Sequence, residues 1–479
     1  MHLLRHVAAG GAGLSRPNSA LAWARAAGCG GRVLPLPANA SVSVLDSPTA
    51  FHAHLVTKAK AARTRILLGT LYVGGGEKED ALLAAAAEAA VSAAGPPATR
   101  LRLRAHVDYH RGQRAQEGGS SAEMLARRLL ADEVREGADV RVTLFRSPRL
   151  PQALAPAVPA KYREAAGVSH LKVLVFDDDV VLTGANLSHD YFTNRQDRYV
   201  VLSGVPELAD WYEEVMDAVA DASHQLVADG SLRPPSRGAQ AAARAALHVL
   251  VTNPGSKRGD VGAGAASDEE TATWLVPTLQ FGPWGLDHDA RVALALLGGG
   301  MLRGRARIQL ALAYMNLTPE LADAVVAAAG RGECEGVRVV TAAPEANGFH
   351  GASGLPGYVP FVYSWLASEF YSKARQALAP MGADDKLVMY EYAAPGQTFH
   401  CKGSTLVGST NYGARSADKD LESQVGIFTT DPEVAARLEA EAETLVARAS
   451  RVSEATYSEP QRAWPGWLPV VAKRVSQFF

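Results

Sequence analysis

Cysteine is scarce, with three in 479 residues (Cys29, Cys334, Cys401), odd in number and widely spaced. That excludes a disulfide framework and a cysteine-based zinc site. Net charge is nearly absent too: a formal −2 gives no general attraction to nucleic acid, so no nucleic-acid partner is expected. No apolar run approaches the roughly 20 residues needed to span a bilayer, and any membrane contact is expected to be peripheral. Acids are missing from the start of the chain. None precedes Asp46, while Arg5, Arg16, Arg25 and Arg32 stand among Ala and Ser. Residues 1–45 therefore read as a mitochondrial or plastid transit peptide without fixed structure; the alternative is a plain disordered, Ala-rich terminus.

What is present is enough for sizeable cores: 47% hydrophobic and 20% charged residues over a length of two or three domains. Asp46 or Ser47 caps an expected helix from Pro48 to Ala62. A strand from Ile66 to Val73 then meets Gly74, Gly75 and Gly76 and an Ala-rich helix. That order is a weak sign of nucleotide binding near Gly69–Gly76, but the Gly-Lys-Ser/Thr ending is missing and a plain turn is the preferred reading. Further strands are expected at Leu101–Val107 and Val140–Phe145, then a hairpin at Leu171–Thr183. After a Gly/Pro/Ser-rich insert, with one short helix from Ala239 to Leu250, the order returns, with strands at Ile308–Asn316, Val337–Thr341 and Lys386–Tyr392. The chain reads as an internal duplication: an α/β half at 46–228, a linker at 229–273 and a second half at 274–479.

Each half ends in the same chemistry. The first carries His170-x-Lys172, then Asn186 and Asp197; the second carries His400-x-Lys402, then Asn411 and Glu422. Asn186 precedes Asp197 by eleven residues, and Asn411 precedes Glu422 by the same interval. An imidazole beside a fixed ammonium suits attack on phosphorus: the His is nucleophile or proton shuttle, and the Lys neutralises phosphoryl oxygens. Equal spacing suggests equal work, so each carboxylate is expected to hold the His of its own half by the nitrogen turned away from substrate. Arg195 and Arg415 sit just beyond the Asn elements and are candidate phosphate contacts or structural ion pairs. Asp177, five residues after Lys172, falls about 23 Å from His170 along an extended strand and is read as structural. Cys401 is expected to be buried filler.

The two motifs, with HLKVLVFDDDVVLTGANLSHDYFTNRQDRYV in the first half and FHCKGS and GSTNYGARSADKDLESQ in the second, resemble the phospholipase D superfamily. Within it they are most similar to the eukaryotic CDP-diacylglycerol–glycerol-3-phosphate 3-phosphatidyltransferases. The resemblance implies two tandem α-β-α sandwich domains packed pseudo-symmetrically around one shared active site. It implies phosphatidyl transfer from CDP-diacylglycerol to glycerol 3-phosphate without a metal or other cofactor, with His170 as nucleophile and His400 as acid/base. It adds Asp177 as part of the HxKxxxxD signature, and Arg111 and Arg114 as substrate contacts. It also points to the mitochondrion, on the inner membrane. Cardiolipin synthesis or phosphodiester hydrolysis shares the same motifs and stays open.

One departure stands out. The second half has Val407 where Asp is expected, and Lys402 to Gly408 spans six residues where Lys172 to Gly184 spans twelve. Either the hairpin is trimmed to a tight turn near Gly403 or a segment has been lost, and a catalytically impaired lipid-binding relative is the alternative this raises. The C-terminal stretch mixes Trp464, Trp467, Phe478 and Phe479 with Lys473 and Arg474. It reads as a membrane-docking amphipathic tail or as an ordinary packed helix.

Overall fold

The computed structural model describes residues 20–475 apart from 94, 97–98, 151–157, 253–270, 299–305, 404, 460–461 and 463. It begins with a helix, α1 (Ala20–Ala27), and two short strands, β1 (Leu34–Pro35) and β2 (Ser41–Val44). The expectation of a structureless leader through residue 45 is corrected from Ala20 onward. Ala20, Leu21, Ala24 and Ala27 are buried against Trp274, Val276 and Phe428 of the second half. β1 pairs with that half and β2 with the first, so this segment ties the halves together. Residues 1–19 lie outside the described residues.

The first half is one nine-stranded sheet. Its core strands β3 (Arg65–Gly69), β4 (Leu101–Asp108) and β5 (Ala138–Phe145) are parallel. The hairpin strands β6 (Val173–Phe176) and β7 (Asp179–Thr183) follow beside β3, then β9 (Tyr199–Ser203) and β2, while β10 (His224–Leu226) and β11 (Leu232–Arg233) extend the other edge. The remaining strand, β8 (Arg195–Gln196), lies off this sheet. Helices α2 (Pro48–Ala61), α3 (Glu77–Ser92) and α4 (Ser121–Leu129) bury their apolar positions on one face. Ser47 caps α2, accepting from the Ala50 amide at 3.3 Å, ahead of Pro48 in the first turn. On the other face lie α5 (Pro206–Asp221) and α6 (Ala239–Thr252). α6 belongs to the stretch expected as linker, and Ala243 and Leu247 anchor it in this core; residues 253–270 lie outside the described residues.

The second half repeats the plan with a break. β12 (Thr273–Phe281) pairs with β20 (Glu422–Thr429), and β20 with β19 (Leu406–Gly408), while the short β13 (Leu286–Asp287) edges β12. Separately, β14 (Ala306–Leu312), β15 (Cys334–Ala342) and β16 (Leu387–Tyr392) run parallel, with β18 (Lys402–Gly403) and β21 (Ala449–Arg451) at their edges. α7 (His288–Leu297), α8 (Pro319–Gly330) and α9 (Val359–Leu378) cover one face, and α10 (Pro432–Ala447) the other. The core behind α5 continues into Leu275, Leu279, Val425 and Ile427, so one hydrophobic cluster spans both halves. This is the expected pair of α-β-α sandwiches around a common centre. Among the described residues no helix is long and apolar enough to cross a membrane.

Candidate active site

The two halves exchange backbone at the centre. β8 pairs in parallel with β17 (Thr398–Phe399), and Ser169 bridges to Leu421. The His400 amide donates to the Gln196 carbonyl and the His170 amide to the Leu421 carbonyl, both at 2.8 Å. Each histidine is thereby set beside the carboxylate of the opposite half. His400 Nδ1–H donates to Asp197 Oδ2 at 2.7 Å, and His170 Nδ1–H donates to Glu422 Oε2 at 2.8 Å. The expectation that each carboxylate serves its own half is corrected: the residues are right and the partners are crossed. The cause is register, because the segment before each histidine is hydrogen-bonded to the segment before the other half's carboxylate.

Occupying Nδ1 leaves Nε2 with the lone pair. Both imidazoles sit well below their ordinary value, chiefly from burial, helped for His170 by Lys172 and Lys402 and for His400 by Lys402 and Arg195. They are neutral and ready to act as nucleophile or base. Lys172 Nζ donates to the His170 carbonyl at 2.9 Å and Lys402 Nζ to the Ser409 carbonyl at 3.0 Å. Burial and the neighbouring Lys402 bring Lys172 down to about 7, while burial pushes Asp197 up to about 7. Both lysines share this buried centre with Asp197 and Glu422, whose charges offset part of the cost of burying them.

The asparagines differ. Asn186 accepts from Thr70 Oγ1 at 3.4 Å and donates to Tyr191 Oη at 3.3 Å. The Asn411 amide donates to Ser416 Oγ at 3.1 Å, and its side-chain oxygen is buried with no partner among the described residues. Arginine placement is crossed like the carboxylates. Arg195 lies near His400, over the Tyr191 ring at 4.8 Å and bonded to Thr398 Oγ1 at 3.1 Å. Arg415 lies near His170, held by Asp420 at 2.8 Å and by the Glu164 carbonyl at 3.0 Å. Arg111 sits 4.5 Å over the Tyr72 ring and 3.9 Å from Glu164, which also pairs with the half-exposed Arg114. These three arginines gather around Glu164 as a cationic rim, with Arg415 the one beside His170.

Other expectations end elsewhere. Asp177 is no part of the centre. It takes the tight turn between β6 and β7 at φ +51° and accepts from the amides of Arg63, Thr64 and Arg65. The glycines after β3 have a packing reason. A Cβ on Gly75 would stand 2.0 Å from the Glu117 carbonyl oxygen, and the helix beyond opens with Glu77, Glu79 and Asp80, which repel phosphate. Cys401 is buried, as expected.

Sequence reading missed an aromatic lining. Tyr191 meets His400 edge-on at 5.0 Å and Tyr314 does so at 6.0 Å, with Tyr363 stacked on Tyr314 at 4.9 Å. It also missed Arg198, next to Asp197, whose adjacency was the available signal. Arg198 makes a buried pair with Glu441 of α10 at 2.7 Å and donates to the carbonyls of Lys402 and Leu406, each at 3.4 Å. Those carbonyls flank the shortened turn, so a first-half guanidinium holds the ends that a hairpin would otherwise hold.

Two α/β halves that share one centre, each giving it a His-x-Lys, are the arrangement that the resemblance to the phospholipase D superfamily implies. Phosphatidylserine synthase of Haemophilus influenzae Rd KW20 has the same fold, with a TM-score of 0.72 at 20% identity over 95% of this chain and 97% of that one. No family model matches. In sequence the chain is 34% identical to the mouse mitochondrial CDP-diacylglycerol–glycerol-3-phosphate 3-phosphatidyltransferase, over 91% of this chain and 83% of that protein. It is 32% identical to the human protein of that name over the same shares, and 26% identical to that of Saccharomyces cerevisiae over 88% and 85%. The chain belongs to the CDP-diacylglycerol–glycerol-3-phosphate 3-phosphatidyltransferase family.

Proposed function

We propose that the chain transfers a phosphatidyl group from CDP-diacylglycerol to sn-glycerol 3-phosphate, giving phosphatidylglycerophosphate and CMP, as the names of its relatives indicate for them. The crossed histidine pair carries the reading, since it places two neutral imidazoles with fixed tautomers beside two lysines in one buried centre. His170 Nε2 attacks the phosphorus bearing diacylglycerol, and the bond to the CMP oxygen breaks as that oxygen takes a proton from His400. The incoming diphosphate lifts His400 and both lysines toward their protonated forms, which supplies that proton. His400 then takes the proton of the acceptor hydroxyl, whose oxygen attacks phosphorus and expels His170. Lys172, Lys402, Asn186 and Asn411 hold the non-bridging oxygens where charge builds.

The cationic rim of Arg111, Arg114 and Arg415 supports binding of the acceptor's phosphate, with Arg195 on the donor's side. No metal or other cofactor is assigned a part. The mitochondrion is the proposed location, as in the relatives' names, with peripheral contact to the inner membrane where the lipid donor would be met.

The test is labelled glycerol 3-phosphate with CDP-diacylglycerol, before and after dialysis against EDTA. Wild type should form lipid-soluble product with or without EDTA. His170→Ala and His400→Ala should each lower kcat by at least about 10³-fold. Absence of product from wild type would overturn the reading in favour of a lipid-binding relative; product from His400→Ala at the wild-type rate would overturn the two-histidine mechanism.

A further inference from the structure

Seven large apolar side chains are exposed among the described residues, and they are not scattered evenly. Four lie on two segments that meet, Phe349 (42% exposed) and Tyr358 (38%) on the loop before α9 and Trp467 (46%) and Val470 (60%) at the C-terminal helix. The rings of Tyr358 and Trp467 meet edge-on at 5.2 Å. Phe349 is joined to Tyr358 by a compact loop, in which the Ala352 amide donates to the Phe349 carbonyl at 3.1 Å and the Ala352 carbonyl lies against Gly357. The C-terminal helix α11 (Leu468–Val475) buries Leu468 and Ala472 on Val362 and Trp365 of α9. The tail is thus a packed helix on one side. Trp467, Val470 and Arg474, at helical spacing, face outward.

This ridge is continuous with the active site. Gly348, next to Phe349, lies against the Arg195 guanidinium, where a Cβ would stand 2.9 Å from Nη2. α9 starts just after Tyr358, and its Tyr363 stacks on Tyr314, which meets the His400 ring. Two routes thus lead from the ridge to the centre: Phe349 through Gly348 to Arg195, and Tyr358 through the first turns of α9 and Tyr363 to Tyr314 and His400.

We propose that this ridge seats the enzyme on a phospholipid bilayer, so that the mouth on the His400 side opens into the headgroup layer. The proposal rests on the reading that the donor is a diacylglycerol lipid. Aromatic rings edged by an arginine favour the headgroup region. Four side chains are far fewer than the roughly 20–30 residues a side of a stable protein interface, whereas a few aromatic anchors suffice for interfacial binding. The loop half of the ridge, Phe349 and Tyr358, is as much a part of it as the tail.

The experiment compares the full chain with Phe349→Ser/Tyr358→Ser, Trp467→Ser/Val470→Ser and Met381→Ser. Met381 is exposed but follows the far end of α9, which at 20 residues is about 30 Å long. Partition onto vesicles of phosphatidylcholine with phosphatidylglycerol is measured by sedimentation, and turnover is measured with donor in vesicles and in detergent micelles. Each double variant should bind vesicles about tenfold more weakly, with turnover on vesicles falling in step and turnover in micelles unchanged. Met381→Ser should match wild type. Unchanged partition of both double variants would overturn the proposal, as would a wild-type dimer, seen by sedimentation without vesicles, that Trp467→Ser/Val470→Ser dissociates. Failure of wild type in both turnover assays would instead sink the proposed reaction and leave the partition result standing.

Discussion

The first half closes its sheet and the second does not. In the first, β6 and β7 pair over three registered positions and carry the sheet without interruption from β2 to β11. In the second, β18 pairs with β14, among the described residues, only at Ala311–Gly403 and Leu312–Lys402, and β19 pairs with β20, so one sheet becomes two. A cavity of about 350 Å³ opens there, lined by Arg198, Ile308, Ala311 and Leu438 among others. Yet His400 is held as closely as His170. The hairpin is therefore dispensable to the centre, and what fixes each histidine is the other half. Parallel pairing at β8–β17 and the crossed carboxylates do for His400 what its own sheet does not.

The sharpest way to break this comparison is to remove the crossed bonds one at a time. Asp197→Asn should disable His400 and Glu422→Gln should disable His170, each lowering kcat on the order of 10³-fold with little change in KM. Rapid-quench trapping separates them. Asp197→Asn should still release CMP in a burst if His170 is the nucleophile, slowed where protonation by His400 limits it, while Glu422→Gln should show no burst. The reverse result would exchange the histidine roles while keeping the crossing.

Next in size is the substitute for the hairpin. Arg198→Met combined with Glu441→Met removes the buried pair without stranding a charge. It should lower kcat about tenfold, because the Lys402 and Leu406 carbonyls lose their donor and the turn bearing Lys402 is freed. A kcat equal to wild type would mean that β17 and Asp197 alone hold the second motif. A milder asymmetry should appear with pH. Asp197 protonates below about 7 and loosens His400, whereas Lys172 loses its proton above about 7 and ceases to neutralise phosphoryl oxygens. The profile of kcat/KM should be a narrow bell near neutrality, its limbs belonging to the coupled site rather than to single residues. Asp197→Asn should flatten the acid limb and, by removing a charge that raises Lys172, move the alkaline limb to lower pH.

How far this was legible from sequence depended on whether the information was local. The strand order, the duplicated His-x-Lys and the eleven-residue spacing to Asp197 and Glu422 are written along the chain and were recovered. Partnership across halves is not. Nothing in the spacing tells whether Asp197 meets His170 or His400, because that choice is made by pairing between residues some 200 positions apart. Tyr72, Tyr191, Tyr314 and Tyr363 were invisible for the same reason, coming from four separate segments. From Ala20 onward the Ala-rich, acid-free composition misled, because an Ala/Leu helix buried on Trp274 and Phe428 has the composition of a leader.

The smallest expected effect on activity concerns the one signature residue that the second half lacks. Asp177 accepts 2.7 Å and 2.8 Å bonds from the amide and hydroxyl of Thr64, with further bonds from the Arg63 and Arg65 amides, and tolerates the left-handed backbone of its turn. Burial pushes its carboxyl up, but together those bonds outweigh it and draw the carboxyl below the ordinary 3.8. A carboxylate so lowered stabilises the fold fully above its unfolded value, and the contribution is lost as pH falls through its folded value. Asp177→Asn should therefore melt below wild type at pH 7, by about 1–2 kcal/mol, and the difference should shrink toward zero as pH drops below the carboxylate range. Its kcat and KM should match wild type throughout. Loss of turnover in Asp177→Asn with an unchanged melting curve would return this residue to the chemistry, and would make Val407 a true defect of the second half rather than a mark of a hairpin it does not need.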